Sequence, residues 1–510
     1  MIPRYLQTLK QTYILKLFLL LLLSGCAGIP YDYPRQESVA IPPQPEVEAV
    51  AAISRWSHQQ GNQSGVLPLL EGIDALGARL RAIESAEVSI DAQYFLMKRD
   101  IAGGLFLAAL LQAADRGVRV RLLLDDIFTP GLDQELALMN AHPNVEVRLF
   151  NPISRSGPKY WNLMWNFSAY NRRMHNKALI VDHIMVITGG RNIAEEYFQV
   201  QEQVEFLDFD LFGVGPVATA LSRVFDEYWN SELAIPVQAF LSSFTAQDAR
   251  QWRANVDERY VEALTTVYAR AVTTPYLERV RNDLTALTPT TIEVVSDSPE
   301  KLTSEIGDRD QQQLVSKLMD VMDKASREIL IVTPYFIPRE QGTEFLLSLR
   351  RKGVRIRVVT NSLASTNHVA VHSGYARYRK RLLKAGVELY ELQAYRSSNG
   401  EADSRSATLH TKLMVFDQET VFVGSINLDP RSIDINSEMG LFMFMPQQAA
   451  KTANNIVEAL DSAAYQLFLD DDGDLIWKQG EATFTSEPQA SWWRRFSAGF
   501  YGILPIEDQL

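Results

Sequence analysis

The apolar positions of this chain fall into short runs that recur in the same order in its two halves. Residues 87–95 read Glu-Val-Ser-Ile-Asp-Ala-Gln-Tyr-Phe, and residues 328–336 read Glu-Ile-Leu-Ile-Val-Thr-Pro-Tyr-Phe. Short β-branched and aromatic runs of this kind predict strands. A helix-like stretch follows each, and then a second strand: Gly117-Val-Arg-Val-Arg121 in one half and Gly353-Val-Arg-Ile-Arg357 in the other. The two pairs are displaced by 241 and 236 residues, a drift small enough to mark an internal duplication. Each half reads as strand, helix, strand, further helix and a hairpin-like pair of strands. Such alternation predicts an α/β fold: two similar halves, each a mixed or largely parallel sheet covered by helices, jointly forming one active site. The first half is expected over 61–230 and the second over 316–510. Residues 231–315 are polar and partly helical, and read as a connecting region.

The N-terminus follows different rules. Arg4, Lys10 and Lys16 form a positive start, Leu17 to Leu23 is wholly apolar, and Leu23-Ser24-Gly25-Cys26 follows. The segment falls short of the roughly 20 apolar residues a membrane-spanning helix needs, so 1–25 reads as an export signal. Its last four residues resemble a bacterial lipobox, which predicts lipidation of Cys26. That residue is the only cysteine, so no intrachain disulfide can form. Pro30, Pro34, Pro42, Pro43 and Pro45 lie among polar residues, and 26–60 is expected to be a proline-rich tether. The implied location is the periplasmic space on a lipid anchor, with Ala27 favouring the outer membrane. A net charge of −12 disfavours a nucleic-acid partner.

The duplication also carries the candidate chemistry. His175-Asn-Lys177, four residues, Asp182, six residues, Gly189-Gly190-Arg-Asn192 is repeated as His410-Thr-Lys412, four residues, Asp417, six residues, Gly424-Ser425-Ile-Asn427. Every fixed position is displaced by 235 residues. A lone His-x-Lys carries little information, but six matches at identical spacing are specific. Residues two apart on a strand share a face, so His and Lys of each copy point together. Asp182 and Asp417 fall at the strand's end; Asn192 and Asn427 follow glycines at a predicted helix start. Two histidines supply a nucleophile and a proton donor for a phosphodiester, and two lysines with two asparagines surround its oxygens, with no metal and no cofactor required. The other histidines (His58, His142, His183, His368 and His372) lack such pairing and read as ordinary surface or core residues.

The doubled motif resembles that of the phospholipase D superfamily. The resemblance implies a covalent phosphohistidine on one histidine, His175 by analogy, with His410 as general acid and then base. It further implies a buried acid donated to each histidine by the opposite half. Matching Asp208-Phe-Asp210-Leu-Phe with Asn436-Ser-Glu438-Met-Gly-Leu-Phe pairs Glu438 with His175 and Asp210 with His410; the alternative is a solvated acid at a strand start. Asp182 and Asp417 are expected to brace the fold.

A closer resemblance, from about residue 65 onward, is to the C-type bacterial cardiolipin synthases. It rests on Ala114-Asp-Arg-Gly-Val-Arg-Val-Arg-Leu-Leu-Leu-Asp-Asp126, Arg172-Arg-Met-His-Asn-Lys177, Gly189-Gly-Arg-Asn-Ile193, Thr360-Asn-Ser-Leu-Ala364, Gly374-Tyr-Ala-Arg377 and Gly386-Val-Glu-Leu-Tyr-Glu391. It implies a phosphatidyltransferase acting on phospholipids, phosphatidylglycerol and phosphatidylethanolamine among them. A hydrolytic phospholipase D is the alternative, and a nuclease a more distant one. Two surface features stand outside this chemistry. Ser491-Trp-Trp-Arg-Arg-Phe496 with Phe500-Tyr501 suits a membrane interface or packing against the body. Arg377, Arg379, Lys380, Arg381 and Lys384 form a basic, helix-like stretch that suits lipid headgroups or, as the commoner explanation, a solvated helix face.

Overall fold

The computed structural model describes residues 29–129, 132–155, 170–198, 204–240, 244–273, 283–395, 397–398, 401–402 and 406–510. Eight strands recur in the same spatial order in its two halves, and the second sheet continues into two more, Leu475–Gln479 and Ala482–Phe484. The first sheet runs, in spatial order, Ser64–Leu69, Asp210–Val214, Met185–Gly189, Ala178–Val181, Ser89–Tyr94, Arg119–Asp125, Val145–Phe150 and Ala234–Pro236. The second runs Thr288–Ser296, Met439–Phe444, Thr420–Gly424, Leu413–Phe416, Glu328–Val332, Arg355–Asn361, Glu388–Leu392 and Ala464–Leu469. In each sheet the three strands joined by helical crossovers are parallel, and the rest are antiparallel. The outer strands meet, Ser64 opposite Thr290, so the halves share one continuous sheet.

Local chemistry accounts for the repeat. Ile101–Asp115 is apolar nearly all round and buried on most faces, with the Asp100 carboxylate accepting from Gly103 N at 2.9 Å as its N-cap. Between helix and next strand stand Gly117 (φ +98°) and Gly353 (φ +90°), the left-handed positions that explain the repeated Gly-Val-Arg. The hairpins that begin with the His-x-Lys strands turn through Asp182–His183 and Asp417–Gln418, all at φ between +50° and +56°.

Two boundaries expected from composition are corrected. The tether does not reach residue 60: Glu48–Gln59 is a helix that buries Val50, Ile53 and Trp56. Its polar residues hid a one-sided apolar stripe. Before it, 36–40 strap onto the first half, with Arg148 donating to Gln36 O at 2.6 Å, Arg121 to Ser38 O at 2.9 Å and Ala40 N to Asp226 at 2.8 Å. The region 231–315 is likewise more than a connector. Thr288–Ser296 is the first strand of the second sheet, and Ala246–Ala263 packs beside Ile101–Asp115. The predicted signal 1–25 and Cys26 lie outside the described residues. Among those described, no helix is long and apolar enough to cross a membrane.

Candidate active site

Each half lends backbone and side chains to the other half's histidine. His175 N donates to Ser437 O at 2.9 Å, and its Nδ1 lies 2.9 Å from Glu438 Oε2 and 3.1 Å from Ser425 O. His410 N donates to Leu207 O at 2.8 Å, and its Nδ1 lies 2.6 Å from Asp208 Oδ2. The second contact depends on a pairing the sequence did not suggest: Val204–Leu207 runs parallel to Ser406–Leu409 across the two halves, delivering His410 beside Asp208. A proton on each Nδ1, donated to its carboxylate, leaves the Nε2 lone pair free to attack or to take a proton.

Glu438 thus stands where the resemblance put it, and Asp210 does not. Asp210 is fully buried but belongs to Arg79, at 2.8 Å, and to Arg191, whose backbone N–H donates to it at 3.1 Å. Register explains the difference. Gly189 pairs with Asp210 and Gly424 with Gly440, so Asp208, two residues earlier, is the counterpart of Glu438. Aligning the shared Leu-Phe, Leu211-Phe212 on Leu441-Phe442, would have shown it.

The lysines line the same space. Lys177 Nζ donates to His175 O at 2.5 Å and sits 5.3 Å from the centre of the Phe95 ring, which packs T-shaped with the His175 ring, centres 4.8 Å apart. Lys412 Nζ lies 3.1 Å from His410 Nε2. His410 is flanked by Tyr197 at 5.1 Å and stacked on Phe206 at 5.5 Å. Burial in this apolar frame pushes His175 down to about 4, against the pull of Glu438, and burial with Lys412 pushes His410 down to about 3. Burial likewise lowers Lys177 to about 7 and Lys412 to about 8. Each histidine also feels the lysine of the other copy, which makes the two motifs one electrostatic site. Burial raises Glu438 and Asp208, yet the paired histidines together with the nearby lysines outweigh it and hold both acids below the ordinary carboxylate range.

The remaining motif positions divide. Asn192 accepts from Leu96 N at 3.2 Å and donates to the Tyr197 hydroxyl at 3.0 Å. Buried Asn427 keeps an unpartnered side-chain oxygen beside the second histidine's motif. Asp182 and Asp417 stand five residues beyond their lysines, about 16 Å along an extended strand. Asp182 accepts from the N–H groups of Glu87, Val88 and Ser89 at 2.8–3.0 Å, and Asp417 from those of Ser326, Arg327 and Glu328 at 2.7–2.9 Å. They pin a left-handed turn to the start of the central strand and are placed to brace, not to touch a phosphate. Of the other histidines, His372 is buried against Arg379 and 3.7 Å from Glu487. The basic stretch is paired as well: Arg379 with Glu391 at 2.9 Å, Lys380 with Asp474 at 2.9 Å and Arg381 with Glu340 at 2.6 Å. Arg379 is buried, which corrects its reading as part of a solvated face. No cluster of metal-ligating side chains occurs among the described residues.

Comparison with known proteins agrees with this geometry. Residues 80–229 and 318–460 match the family model described as cardiolipin synthase, PLD-like domain. Cardiolipin synthase C of Escherichia coli (strain K12) is 38% identical over 468 residues, covering 90% of this chain and 98% of that protein. Cardiolipin synthase 1 of Bacillus cereus is 24% identical over 372 residues, 73% of this chain and 61% of that protein. Among solved structures, phosphatidylserine synthase of Haemophilus influenzae Rd KW20 superposes with a TM-score of 0.58 at 11% identity, covering 90% of this chain and 100% of that one, a likeness of fold. With the two matched segments falling on the two structural repeats, the chain belongs to the phospholipase D superfamily, in the family of cardiolipin synthases with paired PLD-like domains.

Proposed function

We propose that this enzyme is a phosphatidyltransferase that joins phospholipids into cardiolipin through a phosphohistidine. The observation that carries the chemistry is the pair of imidazoles, each on a buried carboxylate from the opposite half, with both lysines beside them. His175 Nε2 attacks phosphorus and the bond to the leaving alcohol breaks, His410 giving that oxygen its proton. The glycerol hydroxyl of phosphatidylglycerol then attacks, returns a proton to His410 and displaces His175. Lys177, Lys412 and the side-chain amide N–H of Asn427 donate to the phosphoryl oxygens, whose negative charge favours the proton on one ring. The lipid substrate is inferred from the relatives. Purified full-length chain, incubated with phosphatidylethanolamine with and without phosphatidylglycerol, should yield cardiolipin only when the acceptor is present. Phosphatidic acid as the sole product in both mixtures would make it a hydrolase.

The lysines set the alkaline limit. Raising pH through about 7 and then about 8 discharges Lys177 and Lys412, removing the cations that face the phosphate. kcat/KM is therefore expected to fall from about pH 6 to 9, and a level profile over that range would show that both keep their protons.

Export and lipidation at Cys26 complete the reading, supported by the positive start, the short apolar run and the small residues before the cysteine. The stretch from Cys26 to Arg35 reaches at most about 30 Å, so the body would ride close to the membrane. Cys26→Ser should abolish labelling by a radioactive fatty acid; equal labelling of both proteins would refute the anchor.

A further inference from the structure

The last helix, Trp492–Ile503, buries none of its residues. Trp492 is 71% exposed, Trp493 64%, Phe496 53%, Phe500 54% and Ile503 84%. Residues 492, 496, 500 and 503 recur at helical spacing and form one apolar stripe facing outward. The rings at its start pack on one another, Trp492 on Phe496 at 5.6 Å and Trp493 on Phe496 at 5.5 Å, which holds the patch as a unit. A stripe of this size on an otherwise charged body marks a contact surface.

The helix is fixed to the parts that carry His410. Arg494 donates to Leu363 O at 2.8 Å and to Thr366 O, clamping the loop after strand Arg355–Asn361. That loop's Ser365 O accepts from Thr408 at 2.8 Å, and Asn361 exchanges bonds of 2.8 and 2.9 Å with Leu409, the residue before His410. Beyond the helix, Gln509 accepts from Asn171, four residues before His175, at 2.9 Å. Segment 492–510 thus braces the flanks of both motifs.

The helix's charges select the partner. Arg494 and Arg495 donate to backbone carbonyls and form no ion pair with a carboxylate among the described residues. Two guanidinium groups without a carboxylate partner, set among interfacial aromatics, match anionic headgroups above an acyl layer.

We infer that Trp492–Ile503 is an interfacial helix that seats the active-site face on an anionic phospholipid bilayer. This rests on the lipid-substrate reading above, because a protein partner would use the stripe without lipid. The test compares the full chain with the Trp492→Ser/Trp493→Ser/Phe496→Ser variant. These residues lie outside the reaction centre. Vesicles of phosphatidylglycerol and phosphatidylethanolamine carrying brominated acyl chains report tryptophan insertion. Turnover is measured on the same vesicles without bromine and on a short-chain phosphatidylglycerol below its micellar concentration. Docking predicts that the variant loses the bromine-quenched fluorescence and at least about tenfold of vesicle turnover, while keeping monomer turnover within about twofold. Unquenched wild-type fluorescence, unchanged vesicle turnover, or equal loss on both substrates would each overturn it. If neither protein turns over any phospholipid, the substrate reading fails, and the quenching still decides whether the helix meets lipid.

Discussion

His175→Ala is expected to abolish turnover of every substrate, whereas His410→Ala should lose about 10²–10⁴-fold on phospholipid and recover on a substrate that needs no proton donor. The two rings are matched in surroundings, each with a carboxylate on Nδ1 and a lysine nearby. Their roles differ only in which one forms the bond to phosphorus. Without His175 no covalent intermediate exists, and improving the leaving group changes nothing. Without His410 the first step stalls because an alkoxide is a poor leaving group. A p-nitrophenyl phosphodiester leaves as a stable anion and should restore that step. The second step stays slow, since nothing deprotonates the incoming alcohol, so phosphoenzyme should accumulate in His410→Ala. Peptide mapping then reads the assignment. Phosphate on His175 supports it; rescue of His175→Ala by the activated substrate, with phosphate on His410, would reverse it.

The sequence revealed whatever depends on spacing along one strand or on repetition. His175 with Lys177, and His410 with Lys412, were legible from their repeated spacing, although both pairs stand just before the strands Ala178–Val181 and Leu413–Phe416 and not on them. The duplication was legible because the motif positions recur at one displacement. What stayed hidden depends on contacts between the halves. Val204–Leu207 carries few signals of its own, and its partner lies some 200 residues away, so nothing local announces that Leu207 and Asp208 will meet His410. The N-terminal strap was hidden for a similar reason. Its prolines and polar residues suit a free tether, and what holds it down is a set of side chains far along the chain, Arg121 and Arg148 donating to Ser38 O and Gln36 O, Asn230 to Ser38 O and Asp226 accepting from Ala40 N. The bracing aspartates were half legible: position implied a turn, but the three backbone donors each one collects belong to a distant segment.

Asp208 and Asp210 lie two residues apart, both buried, and substituting each by asparagine should produce opposite results. Asp208→Asn retains the shape of the side chain, and Arg191 still donates to the Asp208 carbonyl at 2.7 Å. What it removes is the carboxylate that fixes the His410 tautomer and stabilises its protonated form. Little change in melting temperature is expected, with kcat down about 10²–10⁴-fold. Because the loss acts through His410, the p-nitrophenyl substrate should recover it, as in His410→Ala. Asp210→Asn instead strips the charge from between Arg79 and Arg191, both almost wholly buried, leaving cations that water cannot reach. Breaking a buried pair on one side costs about 3–5 kcal/mol, so this variant should melt well below the wild type. Whatever fraction folds should respond to the activated substrate as the wild type does. A stable Asp210→Asn protein that needs an activated leaving group, beside an Asp208→Asn protein of normal kcat, would return the His410-orienting role to Asp210 and refute the pairing described here.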